Sequence, residues 1–275
     1  MIEGQEGVTW EEWLSLAEAC ERSPIEAMFR SHHYLSVVGR HERGSLDAWA
    51  TINARSAVTS ELRLGTLVSP ATFSASSREL DAMGTAPVLW RAGAGDVLVT
   101  AVHAYGHLRN GFCKPRDSGT LQTSHVIAVA ANADWMAVGE ENAIDSNYHR
   151  ETPFKDALAA HLAARPPRLV VDIHGSHALR PFDVEIGSID QRSWLGRTQW
   201  RDALQQTLVH CGCFVSDNQV FRAAGATPEA QTITAFCMEL GVPCVQLEIC
   251  SALMDDLDTV QAMHANAKLV NAIAA

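Results

Sequence analysis

The feature that most constrains the fold is a short apolar run that leads into a histidine and a glycine. Residues 168–175 read Arg-Leu-Val-Val-Asp-Ile-His-Gly. A continuous apolar run of this kind is typical of a strand buried on both faces, as in the parallel sheets of α/β proteins. Open sheets of that class bind their ligands at the carboxyl ends of the strands. We therefore predict that His174 lies at a ligand-binding edge.

Asp172 precedes this histidine by two residues. Alternate residues of a strand share a face, so the Asp172 carboxylate is expected to orient the His174 ring. Taken alone, the motif is equally compatible with a core histidine that hydrogen-bonds to the backbone.

Two other apolar runs end in side chains of the same chemical kind. Residues 97–102 lead into His103, and residues 242–247 lead into Glu248. Two imidazoles, one further ligand and an unligated glutamate are typical of a catalytic zinc site with an open coordination position. The three strand ends together predict one zinc ion per chain, with Glu248 as the general base.

The third ligand has two candidates. His107 follows His103 at a His-x-x-x-His spacing, which places both rings on one side of a helix or turn. Asp117 is a carboxylate just before a helix predicted near residues 118–132, where it is also favourable merely as a cap. The short histidine spacing favours His107, and comparison of zinc affinities in two variants separates the candidates.

Composition limits the class of protein and its partners. The 275 residues are 47% hydrophobic and 19% charged, which is enough for a substantial core. The net charge of -11 argues against a nucleic acid or an anionic membrane as partner. An anionic substrate would need basic side chains placed inside the pocket.

The seven cysteines show no paired spacing, and no signal peptide or membrane span is evident. A reduced, cytoplasmic protein is therefore expected.

Strand-like and helix-like segments alternate along the chain. This order predicts one α/β domain over residues 1–275, with a mixed, largely parallel sheet flanked by helices. Residues 1–90 are expected to form an N-terminal extension of helices and edge strands. It begins with a helix capped by Thr9 and starts a second helix after Ser23-Pro24. Another helix is predicted to begin at Pro153, with Lys155 in its first turn exposed to solvent.

Six short sequence blocks follow one another along the chain. They are Val-His-Ala-Tyr-Gly-His at 102–107, Lys-Pro-Arg-Asp-Ser-Gly-Thr at 114–120, Asp-Ser-Asn at 145–147, Val-Asp-Ile-His-Gly at 171–175, Asp-Val-Glu-Ile-Gly at 183–187 and Val-Gln-Leu-Glu-Ile at 245–249. In this order and spacing they resemble the N-formylglutamate amidohydrolase-like family, which has the zinc-carboxypeptidase (phosphorylase/hydrolase-like) type of fold. The resemblance covers about residues 95–255, and residues 1–90 match nothing.

The resemblance implies a metal-dependent hydrolase that cleaves an N-formyl or N-acyl amide of a small substrate bearing a carboxylate. By position it implies that His103 and His174 are zinc ligands, that Glu248 is the general base and that Asn147 binds the substrate carboxylate. The chain departs from the pattern at Gly106, where broader relatives carry a glutamate ligand.

The second departure concerns substrate binding, because Tyr148 stands where an arginine usually follows the asparagine. The carboxylate could instead be bound by a basic residue elsewhere, and the candidates are Lys114, Arg150, Arg180 and Arg222. Two alternative functions remain open: a metallocarboxypeptidase-like enzyme that trims short peptides, and an inactive binding protein of the same fold. No oligomeric state is predicted.

Overall fold

The computed structural model describes residues 9–23, 25, 27–30, 59, 62–66, 79–80, 82–254 and 273. The chain divides into two compact units, and the division falls between residues 71 and 72. Each unit is described by itself, and the single-domain organisation stays a prediction.

The first unit contains helix α1 (Trp10–Glu21) and two short strands. Thr9 and Glu12 form a reciprocal capping box at the start of α1, as the Thr9 cap predicts. The expected second helix is wrong, because Ala27–Arg30 forms strand β1, which pairs in parallel with β2 (Arg63–Thr66). The partner strand lies far along the chain, and local helix signals do not report such a pairing.

The second unit is built on a seven-stranded sheet. Its strands are β3 (Val88–Arg91), β4 (Val97–Ala101), β7 (Asp134–Val138), β9 (Leu169–Ser176), β10 (Val184–Gly187), β11 (Val215–Asp217) and β12 (Cys244–Cys250). Their order in the sheet is β11-β10-β12-β9-β4-β7-β3. A small second sheet contains β5 (His107–Arg109), β6 (Phe112–Lys114) and β8 (Ala143–Ile144), in the order β6-β5-β8.

The four central strands β12, β9, β4 and β7 are mutually parallel. β3 runs antiparallel to β7, and β10 runs antiparallel to β12. The predicted mixed, largely parallel sheet is therefore confirmed. Parallel neighbours bring their carboxyl ends to one edge, so the ends of β4, β9 and β12 lie side by side.

Helices flank this sheet in the second unit: α2 (Thr120–Ala130), α3 (Pro153–Ala164), α4 (Thr198–His210) and α5 (Ile233–Glu239). Two short 3-10 turns, Arg192–Trp194 and Ser251–Leu253, also belong to this unit. Alternate residues of the central strands enter two separate apolar clusters, such as Val171 in one and Val170 in the other. α2 and α4 contribute to the first cluster, and α3 and α5 to the second. Among the described residues, we find no helix with the length and apolar character needed to cross a membrane.

Helix α3 begins at Pro153 behind a Thr152 cap, as predicted. The expectation that Lys155 is solvated is wrong, since this residue is only 1% exposed. Its ammonium donates to the His149 carbonyl at 2.8 Å, and to the carbonyl and side chain of Gln231 at 2.6 and 3.1 Å. Chain segments on both sides of the first turn of α3 enclose the ammonium, which a helical pattern cannot predict.

Candidate metal and active site

Three side chains converge at the carboxyl edge of the central strands. His103 lies just after β4, His174 lies near the end of β9, and Asp117 precedes α2. The Nδ1 atoms of the two histidines are 3.1 Å apart, and Oδ2 of Asp117 lies 3.2 Å from the first and 3.3 Å from the second. Three ligand-type atoms thus form a nearly equilateral triangle.

Buried carboxylates hold both rings in this orientation. Nε2 of His103 lies 3.0 Å from Oδ1 of Asp145, and Nε2 of His174 lies 2.9 Å from Oδ2 of Asp172. Thr100 donates to the other oxygen of Asp172 at 2.7 Å. An outer carboxylate on the far nitrogen is the usual way in which a metal-binding histidine is oriented. It leaves both Nδ1 atoms directed at Asp117.

The Asp117 side chain does not cap α2. The N-cap of that helix is Gly119, whose φ of 72° is in the left-handed region. The Asp117 carboxylate instead accepts from the Gly175 amide at 3.2 Å, beside the histidines. A Cβ at position 175 would lie 3.0 Å from the Cβ of Asp117, so glycine permits this close approach.

The pKa values of the three groups are shifted in the directions that favour positive charge at this point. Burial by itself lowers the pKa of His103, but the hydrogen bonds to Asp117 and Asp145 outweigh it and raise the pKa. Burial also opposes the charge on His174, whose pKa is nevertheless well above its ordinary value because of Asp172 and Asp117. Burial raises the pKa of Asp117, yet hydrogen bonds from the two histidines bring it below its ordinary range.

The donor set fits a zinc ion. Zinc–nitrogen and zinc–oxygen bonds of about 2.0–2.2 Å in a tetrahedral site place neighbouring ligand atoms roughly 3.3–3.6 Å apart. The three distances of 3.1–3.3 Å are close to the short end of that range. Two nitrogens and one carboxylate oxygen leave the fourth position of a tetrahedron open, as catalytic sites require.

His107 lies against the ring face of His103 and is not part of the triangle. The two rings stack with centroids 4.0 Å apart and planes inclined by 4°, and Nε2 of His107 lies 3.6 Å from Oδ2 of Asp145. His103, His107 and Asp145 form a second cluster of ligand-type atoms. Asp145 also accepts from Nε of Arg109 at 2.7 Å and from the Asn147 amide at 2.9 Å. Because these donors already occupy the carboxylate, and one is a cation, the second cluster is the poorer metal site.

Glu248 lies on β12 directly beside His174 on β9. It is 6% exposed, and its Oε1 accepts from Nε2 of Gln246 at 2.7 Å. Burial raises the pKa of Glu248 to about 7, and the charge of Asp117 acts in the same direction. Its Oε2 has no hydrogen-bond partner among the described residues. The carboxylate therefore combines one anchored oxygen with one that is open to a ligand.

These groups line one cavity of about 640 Å³. His103, Asp117, His174 and Glu248 are among the residues that line it. Two of the predicted substrate-binding residues, Asn147 and Arg222, also line it. The side chain of Arg222 is about half exposed and forms an ion pair with Asp190 at 2.8 Å.

The other three predicted substrate-binding residues do not line this cavity. Lys114 lies exposed on β6, and Arg150 is exposed and 3.9 Å from Glu239. The guanidinium of Arg180 lies over the ring of Phe221, 5.1 Å from its centroid.

The Asn147 amide has a defined orientation. Its Oδ1 accepts from the backbone amide of Ile233 at 2.9 Å, at the start of α5. An amide whose oxygen is occupied in this way presents its NH₂ group as the free donor. Asn147 can therefore donate into the cavity.

Arg109 is a cavity residue that the sequence reasoning missed. Its Nε is bonded to Asp145, and its guanidinium lies 5.2 Å from the ring centroid of Tyr148. Both Nη atoms remain without a hydrogen-bond partner among the described residues, and the side chain is one-third exposed. A signal was present: Arg109 follows His107 by two residues, so the two share a strand face.

One buried carboxylate shapes the opposite wall. Glu185 is 0% exposed and accepts from three consecutive backbone amides, those of Gln219, Val220 and Phe221, at 2.6, 2.6 and 3.1 Å. Val220 and Phe221 begin the segment that continues along the cavity to residue 226. Glu185 therefore fixes the start of that wall.

The sequence matches no protein-family model, and no curated protein matches it either. Several solved structures are similar. A gene product of Agrobacterium tumefaciens is 17% identical with a TM-score of 0.48, over 70% of this chain and 96% of that chain. N-formylglutamate amidohydrolase from Ralstonia eutropha is 11% identical with a TM-score of 0.44, over 68% and 96%. A metallo-carboxypeptidase from Burkholderia cenocepacia is 11% identical with a TM-score of 0.45, over 75% and 67%. One of these three structures, the N-formylglutamate amidohydrolase, is the kind of protein that the six sequence blocks resemble.

Proposed function

We propose that this protein is a zinc-dependent amidohydrolase. It cleaves the N-formyl or N-acyl amide bond of a small, amino-acid-like substrate that bears a carboxylate. The observation that carries the proposal is the triangle of His103, Asp117 and His174, which shares a cavity with a buried glutamate that has one unoccupied oxygen.

His103, Asp117 and His174 would hold the metal. We favour Asp117 over His107 as the third ligand because its oxygen completes the triangle, whereas the His107 ring stacks on the face of the His103 ring. When bound, zinc supplies Lewis-acid polarisation of the substrate carbonyl and increases the acidity of water. Asp145 and Asp172 keep the two imidazoles in place.

Glu248 acts as the general base and then as the general acid. Its Oε2 takes a proton from the attacking water while the hydroxyl adds to the acyl carbon. The same carboxyl returns that proton to the nitrogen as the carbon–nitrogen bond breaks, which yields a carboxylic acid and an amine. General acid–base catalysis of this kind contributes about 10²–10⁴ in rate.

Arg109 and Asn147 would bind the substrate carboxylate. Arg109 offers two Nη groups, and Asn147 offers its NH₂, on the side of the cavity next to His103. A guanidinium matches the planar geometry of a carboxylate better than an ammonium does. A protein with a net charge of -11 needs such local cations to attract an anionic substrate.

The test combines metal analysis with a substrate screen. We expect about one zinc per chain in the purified protein, and hydrolysis of N-formyl or N-acyl dicarboxylic amino acids that stops when a chelator is added and resumes with zinc. N-acyl amino acids blocked as amides at the carboxylate serve as matched controls and should react poorly. Preferential cleavage of short peptides would favour the carboxypeptidase alternative. Metal binding without turnover of any amide would favour the binding-protein alternative.

A further inference from the structure

One buried acceptor in the cavity wall has no donor. Gln246 is 4% exposed and lines the cavity beside Glu248, two residues along the same strand. Its Nε2 donates to Oε1 of Glu248, but its Oε1 has no partner among the described residues. A buried amide oxygen that accepts no hydrogen bond destabilises the site, so a donor from a bound ligand is strongly favoured there.

We infer that Gln246 recognises the N–H group of the amide that is cleaved. This inference rests on the proposed function, since it identifies the donor by its place in that reaction. Glu248 must approach both the acyl carbon and the leaving nitrogen, because it returns its proton to that nitrogen. An acceptor bonded directly to Glu248 therefore lies next to the leaving nitrogen, and the hydrogen of a secondary amide is the donor available at this place.

The second bond of Gln246 gives the residue a positioning role. The Nε2 donor occupies one oxygen of the glutamate and directs proton transfer to the other. A substrate that satisfies Oε1 also fixes the amide plane of Gln246 and, through it, the orientation of the base. The site would thereby select secondary amides over esters and over tertiary amides, which both lack the N–H.

An amide and an ester of the same shape test this directly. The probes are N-formylglutamate and the formyl ester of 2-hydroxyglutarate, and the quantity is the ratio of their kcat/KM values. Because both values share one enzyme concentration, the ratio does not depend on the fraction of protein that folds. Gln246→Met removes the acceptor and should lower the amide-to-ester ratio by about 10-fold to 100-fold.

Gln246→Glu is the matched control. It keeps an acceptor oxygen while it removes the donor to Glu248, so both rates should fall and the ratio should stay within about 3-fold of the wild-type ratio. An unchanged ratio in Gln246→Met would overturn the inference, because a purely structural residue lowers both rates equally. If the wild-type protein hydrolyses neither probe, nor any other N-acyl compound, the proposed function fails and the inference fails with it.

Binding without turnover provides a second measurement. Calorimetric titration with glutamate, which keeps N–H donors at this position, and with glutarate, which has none, should show about a 10-fold preference for glutamate. Gln246→Met should reduce this preference, and the remainder comes from the attraction between the glutamate ammonium and the Glu248 carboxylate. A preference that is unchanged in this variant would assign the recognition to another group.

Discussion

The Nδ1 atoms of His103 and His174 lie 3.1 Å apart, and neither ring can turn away without leaving a buried carboxylate. The two rings are nearly perpendicular, with planes inclined by 84°. Imidazoles held this close repel each other when both carry protons, and a shared metal ion would remove that repulsion. The carboxylates of Asp145 and Asp172 hold the two rings in place despite this repulsion.

We expect metal to stabilise the folded protein through this pair. A ligand present at about 100 times its Kd contributes roughly 2.7 kcal/mol to the free energy of unfolding. Chelation should therefore lower the thermal midpoint of the wild-type protein. His103→Ala and His174→Ala should lose the bound metal and the response to chelator together. Full metal occupancy in both variants would contradict the assignment of these ligands.

Asp117→Asn and His107→Ala separate the two candidates for the third ligand. Asp117→Asn removes a charged oxygen from the triangle and should weaken zinc binding by more than about 100-fold, whereas loss of an outer group costs about 10–100-fold. The loss of zinc affinity in His107→Ala should be no more than about 10–100-fold. Zinc affinity is measured by competition with a chromogenic chelator, and a larger loss in His107→Ala than in Asp117→Asn would reverse the assignment.

Glu248→Gln should separate catalysis from folding. The variant keeps the size of the side chain, but it cannot take a proton from water. We expect kcat to fall by a factor on the order of 10² or more, while metal content and substrate affinity remain close to those of the wild type. Turnover near the wild-type level in the metal-loaded variant would remove Glu248 from the mechanism.

Arg109→Met should weaken the binding of anionic substrates. Hydrogen bonds to charged groups contribute about 1.5–3 kcal/mol, so KM should rise by roughly 10-fold to 100-fold with a smaller change in kcat. Arg150→Met is the matched control, because that guanidinium is exposed, lies outside the cavity and should leave KM unchanged. Equal effects of the two substitutions would point to a general effect of charge.

Glu185→Gln tests the wall of the cavity. The amide group replaces one acceptor with a donor that faces backbone N–H groups, so the amides of Gln219, Val220 and Phe221 should exchange with deuterium at least about 10-fold faster. KM should rise while the metal content stays unchanged, since none of the triangle residues belongs to β10 or to the segment that Glu185 holds. Unchanged exchange at these three amides would show that the wall is held by other contacts.

The sequence alone indicated the sheet and three of the central side chains of the site. Buried parallel strands need continuous apolar runs, so β4, β9 and β12 stand out in the sequence, and the side chains that end them lie at one edge. The same pattern predicts that His103, His174 and Glu248 lie together at that edge. The register of Asp172 with His174 follows equally from the period of a strand.

Tertiary structure decided the rest, because the remaining groups reach the site from irregular segments and small sheets. Asp117 resembles a helix cap in the sequence, and only the packing of its segment against Gly175 directs it to the histidines. Arg109 and the wall that Glu185 holds depend on contacts between residues more than 30 positions apart. Local patterns report which face of an element is apolar, whereas the partners of a buried charge, such as those of Lys155, are set by which distant segments fold around it.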